Sequence, residues 1–418
     1  MVFKSYPRKV VWFTVYMARS VKRHRLGVLL VIILLFIVLC ISLLIHTQCL
    51  KPSIAYYQIL EEHLEQDRLR ISRSKYILFY TNFFDVDNWL LDGETVGPDY
   101  LRSLSCPETD CVLTNNRELL DRITDYDALV YHIAEPWAYS LLDKVPKQRS
   151  PHQIYIAATM ESPAHTKHLL GGDRDFFNWT MTYRLDSDIV WPYNTLVDID
   201  TDLIVSPAAY PPWKIGAWQH YQNESLLQLA MGKNKMAAQF VSHCGAFSRR
   251  DELVRAIQKL VQVDVYGKCG TLECTRGSKR CSEMLNTDYW FYFSFENSLC
   301  RDYVTEKLFE PMASNIVPVV FGGSDYRRFA PPNSFIDVQD YESVEKLVEH
   351  LQYLVDNPRE YVKYFWWKEH YRIAEGRPFC DLCKKLHYPS ARERTQYYRN
   401  IMTWWFNEVC QKEARIKF

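Results

Sequence analysis

The sequence predicts an α/β protein made of two doubly wound, Rossmann-like domains facing each other across a cleft, preceded by one transmembrane helix and a stem. Three observations carry that expectation. From residue 75 onward, short apolar runs alternate with helical or loop segments, the pattern of parallel strands joined by crossovers. The alternation is interrupted once, by a stretch rich in Pro and Trp over residues 191–218, and then resumes. A length of 418 residues also exceeds what one core usually accommodates.

Taken in order, the chain begins with a basic lead over residues 1–25: Lys4, Arg8, Lys9, Arg19, Lys22, Arg23 and Arg25, with no Asp or Glu before Glu61. Residues 26–45 carry no charged group and can cross a hydrocarbon core of about 30 Å. The positive-inside bias keeps the amino terminus in the cytosol and sends the rest across, a single-pass type II topology. The long basic lead, the length of the apolar run and the lack of an A-x-A site disfavour a cleaved signal peptide. The run over 10–18 is too short to span. Residues 46–74, with Ile54, Ile59, Leu60, Leu64 and Leu69 among charges, read as a stem. The stem or the span is where a homodimer would form.

Lys plus Arg equals Asp plus Glu at 50 each, which argues against a nucleic-acid partner. Twelve cysteines fit an oxidising compartment. Cys106 with Cys111, and Cys380 with Cys383, read as short-loop pairs. Cys269, Cys274, Cys281 and Cys300 offer further bridges whose connectivity stays open. A zinc site would need two paired knuckles, and only one C-x-x-C is present. Asn178 and Asn223 head glycosylation sequons.

In the first domain, residues 75–215, the runs 76–80, 128–131 and 154–158 read as parallel strands, with helical or loop segments such as 116–123 between them. In the second, residues 216–377, strands are expected over 235–242, 261–266, 290–295, 316–321 and 334–338. Helices are expected over 249–260, 306–313 and 343–355. The tail over 378–418 is expected to pack back on the first domain.

Chemistry concentrates where strands turn into helices. Residues 293–308 pass from an aromatic strand into a polar elbow carrying Glu296, Asn297, Ser298, Asp302, Thr305 and Lys307. In an open α/β sheet such an elbow lies at the carboxyl end, where ligands bind, and a helix start plus a lysine suits an anion. The plainer reading is a helix capped by Thr305. Residues 242–250 form a second such elbow, with Ser242, His243, Arg249 and Arg250. In Met160-Glu161-Ser162-Pro163-Ala164-His165, Glu161 follows a strand end of the first domain, a place for a general base or equally for a helix-capping carboxylate. His165 is its rival as base.

F-x-F-E-N-S-x-x-x-D-Y-[IV]-T-E-K over residues 293–307 resembles the signature of the α1,3-fucosyltransferases, glycosyltransferase family 10, with a pattern like that of invertebrate core-type members. The resemblance runs from about residue 127 to the carboxyl end. It implies the glycosyltransferase B arrangement. It further implies inverting transfer of L-fucose from GDP-β-L-fucose to the 3-OH of GlcNAc in glycoprotein N-glycans, by a Golgi membrane enzyme. Glu161, in E-S-P-x-H, takes the role of base. Ser242, His243, Arg250, Tyr303, Glu306 and Lys307 take the donor, with Arg249 the competitor of Arg250. Asn297 shapes its elbow, and Glu296 and Arg184 are secondary candidates. His243 stands where the family usually has asparagine, and that departure also admits an inactive paralogue that binds glycan or GDP-fucose.

Asp186-Ser187-Asp188 matches the metal word of a different glycosyltransferase fold. Here it lies in T-Y-R-x-D-S-D-I, and both carboxylates read as partners of Arg184. No metal is required by this reading, and stimulation by Mn²⁺ is compatible with it. The cysteine pattern 269–281 and the Trp404-Trp405…Cys410 tail resemble core-type members, which favours the innermost GlcNAc over an outer-arm LacNAc or LacdiNAc acceptor.

Overall fold

The computed structural model describes residues 34–39, 73–84, 89, 91, 93–134, 145–166, 175–275, 278–390, 396–407 and 409–418. The expected cytosolic tail, most of the expected span and nearly all of the stem lie outside the described residues. Residues 34–39 are helical. Among the described residues no helix is long and apolar enough to cross a membrane. Residues 74–418 form one compact unit.

The first sheet takes β1 (Lys75–Phe79), β2 (Thr95–Val96), β3 (Cys111–Thr114), β4 (Ala128–His132), β5 (Ile154–Thr159), β6 (Trp179–Thr182) and β7 (Ile189–Val190), in the order β2-β3-β1-β4-β5-β6-β7. All pairs are parallel except β2 with β3. β4, β5 and β6 are buried throughout, as strands covered on both faces must be. A three-stranded antiparallel sheet follows from the Pro- and Trp-rich stretch. In it β8 (Asn194–Asp198) lies between β9 (Ile204–Ser206) and β15 (Tyr371–Glu375).

The second sheet orders β10 (Lys235–Phe240), β11 (Val263–Tyr266), β12 (Tyr289–Phe295), β13 (Val317–Phe321) and β14 (Ile336–Asp337) as β11-β10-β12-β13-β14, all parallel. In both sheets the order reverses beside the first strand, between β1 and β4 and between β10 and β12. Those reversals open crevices at the carboxyl ends, where ligands bind.

The helices used below are α1 (Pro98–Ser103), α2 (Glu224–Met231), α3 (Arg250–Gln258), α4 (Lys279–Thr287), α5 (Glu306–Met312), α6 (Val344–Asp356), α7 (Pro358–Val362), α8 (Pro378–His387) and α9 (Ile401–Phe406). The stretch 116–122 resolves as turns running into a 3₁₀ turn at Ile123–Asp125, not a helix. α8 buries Phe379, Leu382 and Leu386 in the core that holds Trp179 and Trp191. α9 buries Ile401 and Trp405 in the core of Tyr131 and Tyr155. The tail therefore clasps both faces of the first sheet. Its last residues then turn away: Ile416 is buried in the second sheet's core and Phe418 packs on it, so the expected return to the first domain holds for α8 and α9 only.

The cysteines pair otherwise than their spacing suggests. Cys106 bonds Cys380 and Cys111 bonds Cys383, each binding the first domain to α8. Neighbours in sequence are thus pulled onto two parallel bridges between a loop edge and one helix. The remaining bridges are Cys244–Cys269, Cys274–Cys281 and Cys300–Cys410.

Candidate active site

Two elbows flank the reversal in the second sheet. The first, residues 241–249, leaves β10 and enters α3; the second, residues 296–305, leaves β12 and enters α5. They are stitched together. Ser248 donates through its hydroxyl to the Glu296 carbonyl (2.7 Å) and through its N–H to the Asn297 carbonyl (3.0 Å). Arg250 donates to the Phe295 carbonyl (2.8 Å) and the His243 carbonyl (2.9 Å). The Cys244–Cys269 bridge braces the first elbow. Cys300–Cys410 braces the second, together with bonds from Arg301 N–H to the Val409 carbonyl (2.7 Å) and from Gln411 N–H to the Leu299 carbonyl (2.8 Å). The loop after β13 crosses so closely that a Cβ on Gly323 would stand 2.2 Å from the Leu299 carbonyl carbon, which admits only glycine.

Charge in the second elbow is organised around Glu296, which is fully buried. Its carboxylate accepts from the Thr305 N–H (2.9 Å) and hydroxyl (3.0 Å) and lies 3.6 Å from Lys307 Nζ. Burial raises its pKa, with Lys307 acting against that. Lys307 also donates to Glu306 (2.9 Å). Burial works against its charge, but Glu296 and Glu306 outweigh it and lift its pKa above the ordinary lysine value. Burial likewise pushes the Glu306 carboxyl up, and Lys307 overrides it to leave a lowered pKa. A charged lysine between two carboxylates results, Glu296 buried and Glu306 partly exposed.

Glu161 faces these elbows from the end of β5. Its Oε1 accepts from the Ser162 N–H (2.9 Å) and from the Tyr303 hydroxyl (2.9 Å), the latter reaching over from the second elbow. Ser298 donates to Ser162 (2.8 Å) one step away. On its other side Glu161 opens onto a cleft of about 1180 Å³ lined by Phe83, Phe84, Trp191 and Tyr193 and by Glu375 and Arg377. Phe83 and Phe84 follow β1, at the strand reversal of the first sheet.

Two family models cover this architecture. The glycosyltransferase family 10 (fucosyltransferase) C-terminal model matches residues 230–404, and the fucosyltransferase N-terminal model matches residues 72–194. Alpha-(1,3)-fucosyltransferase C of Drosophila melanogaster is 45% identical over 410 residues, covering 96% of this chain and 95% of its own. The chain belongs to the fucosyltransferases of glycosyltransferase family 10. Glycoprotein 3-alpha-L-fucosyltransferase A of Drosophila melanogaster is 31% identical over 74% of this fucosyltransferase and 57% of its own length. The gorilla 4-galactosyl-N-acetylglucosaminide 3-alpha-L-fucosyltransferase FUT6 is 34% identical over 71% and 75%. A crystal structure of an α1,3-fucosyltransferase with GDP-fucose is similar at 14% identity and a TM-score of 0.43, over 78% of this chain and 93% of that one.

Within this fucosyltransferase the site residues expected from sequence divide into three groups. Glu161 and Tyr303 meet across the two sheets, and Glu306 and Lys307 pair beside them on the second elbow. Ser242 and His243 lie exposed on the rim of the first elbow. Arg250 is buried, and both of its terminal nitrogens are engaged with backbone carbonyls, so its fork organises the elbows before it can meet a ligand. Burial lowers its pKa, against the pull of Asp251 and Glu296. Arg249 points away, paired with Glu252. Asn297 accepts from Ser298 and shapes the turn.

Arg184 is structural: it holds Asp186 at 2.8 and 2.6 Å and stacks over Trp404. Asp188, expected beside it, accepts instead from Thr180, Gln396 and Tyr398. The two carboxylates thus serve different partners. Asn178, which heads the first sequon, is partly buried: its amide oxygen accepts from the Tyr155 N–H (2.8 Å) and its Nδ2 donates to the Gln396 carbonyl (2.9 Å). Asn223 caps α2 through Oδ1, and its Nδ2 keeps only a 3.4 Å contact to Tyr221. The aromatic cleft wall was not anticipated. The Phe83-Phe84 pair directly after a strand end was its available signal.

Proposed function

We propose that this fucosyltransferase takes L-fucose from GDP-β-L-fucose and joins it, with inversion, to the 3-OH of GlcNAc in glycoprotein N-glycans. Its catalytic part would be lumenal and anchored in the Golgi membrane through residues 26–45. The observation that carries the reading is the placement of Glu161. It is one carboxylate between an aromatic cleft and a second elbow that presents Lys307. A base on one side of a gap and a cation on the other suit a single in-line displacement: the acceptor hydroxyl gives its proton to Glu161 as the sugar leaves its diphosphate. Tyr303 orients Glu161. Lys307 and the Arg250-stitched elbows receive the negative charge of the leaving group.

The cleft exceeds the roughly 300–1000 Å³ typical of small-ligand pockets, which supports an acceptor of several sugar units. Aromatic walls suit the apolar faces of sugars. The core GlcNAc is the favoured acceptor. The names of the relatives include both a glycoprotein enzyme and a 4-galactosyl-N-acetylglucosaminide enzyme, which makes an outer-arm acceptor the second reading. The test offers GDP-fucose with a GlcNAc-terminated N-glycopeptide, LacNAc or LacdiNAc to the full-length protein in detergent. Transfer to the glycopeptide core is expected, and Glu161→Gln is expected to lower kcat by about 10²–10⁴-fold while still binding GDP-fucose. Transfer confined to LacNAc or LacdiNAc would discard the core acceptor. Undiminished transfer by the Glu161 variant would discard the base.

A further inference from the structure

His165 leaves the same turn as Glu161 but belongs to the other side of the site. Its N–H closes the turn onto the Ser162 carbonyl (3.0 Å). Its ring is not among the walls of the cleft that Glu161 opens onto. Instead it meets His243 edge to face at 5.4 Å between ring centres, and Phe247 at 5.2 Å, both from the first elbow. Its Nε2 is buried and finds no hydrogen-bond partner among the described residues. The charged and titratable groups facing it come from every element of the site: Glu161 on its own turn, His243 on the first elbow, Arg250 on α3 and Lys307 on α5. Burial, then His243, Arg250 and Lys307, press its pKa below the ordinary histidine value, with Glu161 opposing them. Among the described residues Glu161, held by Tyr303 and Ser162, is the one anion facing the His165 ring, against the cations Arg250 and Lys307.

We propose that His165 and His243 form an imidazole pair on the donor side, and that the pair takes up a proton when the diphosphate of the donor enters between the elbows. The inference rests on the donor reading above. It assigns His165 to donor binding, not to acceptor deprotonation. The proton comes from solvent onto a ring nitrogen, and no bond to the sugar is made or broken. In the empty site a third positive charge beside Arg250 and Lys307 is disfavoured. An anion in the gap reverses that preference, because a nearby opposite charge favours the protonated ring. By linkage, the donor must then bind more tightly as pH falls between the ring's pKa in the empty site and its higher value in the occupied one.

The doubly esterified diphosphate of GDP-fucose does not titrate in this range, so any proton taken up lands on the protein. The test is calorimetric titration of GDP-fucose into the full-length, detergent-solubilised protein, without acceptor, in buffers of different ionisation heat. Wild type should take up a fraction of a proton approaching about one near pH 6.5, fading by about pH 8.5, and Kd should tighten by up to about tenfold per pH unit as pH falls. His165→Gln and His243→Gln should each lose the uptake, with Kd values at about pH 6 and pH 8 agreeing within about twofold. Stacking alone would predict otherwise: weaker binding at every pH with the wild-type proton count retained. Binding by wild type with no proton uptake across the range overturns the proposal and leaves the donor reading standing. Uptake that persists in both variants also overturns it, because the proton would then reside elsewhere, with Glu296 the first suspect. Absence of GDP-fucose binding at any pH would remove the donor reading and this proposal together.

Discussion

Tyr303 reaches Glu161 from an elbow that belongs to the opposite sheet, so the orientation of the base depends on how the two domains sit. Tyr303→Phe removes that hydroxyl and little else. We expect kcat to fall about 10–100-fold, the scale on which small misplacements act, in a folded protein that still binds GDP-fucose. A loss of donor affinity as large as the loss in kcat would move Tyr303 onto the donor instead. Glu161 was legible from sequence because it follows an apolar run beside Pro163, and Lys307 because it enters a helix directly after a polar elbow, within the fucosyltransferase signature. Arg250 was legible as a cation but not in its first duty. The carbonyls it holds belong to residues 295 and 243, and only the folded sheet brings them within its reach. The hold on the Asn178 amide was not legible for a similar reason, since its partner is a backbone carbonyl more than two hundred residues away.

Among the elements, the second elbow is the one whose parts depend on each other most. Thr305 caps α5 and at the same time supplies two of the donors that satisfy the buried Glu296. A lost cap alone costs about 1 kcal/mol, but a buried carboxylate deprived of a partner costs more. Thr305→Val should therefore destabilise the protein by about 2–4 kcal/mol, while Thr305→Ser, which keeps the hydroxyl, should cost under about 1 kcal/mol. Denaturant midpoints of the two variants decide it. Equal midpoints would mean that Lys307 and the residue-305 N–H satisfy Glu296 without the hydroxyl. The strands of the second sheet could be read as continuous apolar runs, because a parallel strand is buried on both faces. β8, β9 and β15 could not. They are short and antiparallel, β8 and β9 lie in a stretch dense with Pro and Trp, and β8 finds its other partner, β15, more than 160 residues away.

For the molecule as a whole, the tail decides how far the domains are independent, and its two bridges to the first domain act together. Either one closes a loop of about 270 residues, which the chain-entropy account values at about 5–6 kcal/mol. With one in place, the other closes only a ring of about nine residues, valued at about 2–3 kcal/mol. Removing the Cys106–Cys380 pair alone, or the Cys111–Cys383 pair alone, should then cost about 2–3 kcal/mol, and removing both about 8. Thermal unfolding of the two double-serine variants and the quadruple variant measures this directly. Strict additivity would show that the unfolded chain does not behave as the entropy account assumes. The spacing that suggested local pairs was a reasonable guide to proximity, since 106 and 111 do lie together, as do 380 and 383. Sequence does not say that each couple faces the other. The same arrangement bears on how the protein is made. At about 5–20 residues per second, a ribosome needs roughly 15–55 s after releasing Cys106 before Cys380 emerges. For that interval the newborn amino-terminal half carries two bare thiols and an apolar sheet face without its cover. Its yield in any host should therefore track the supply of thiol-shielding chaperones and disulfide isomerase more closely than the strength of its promoter.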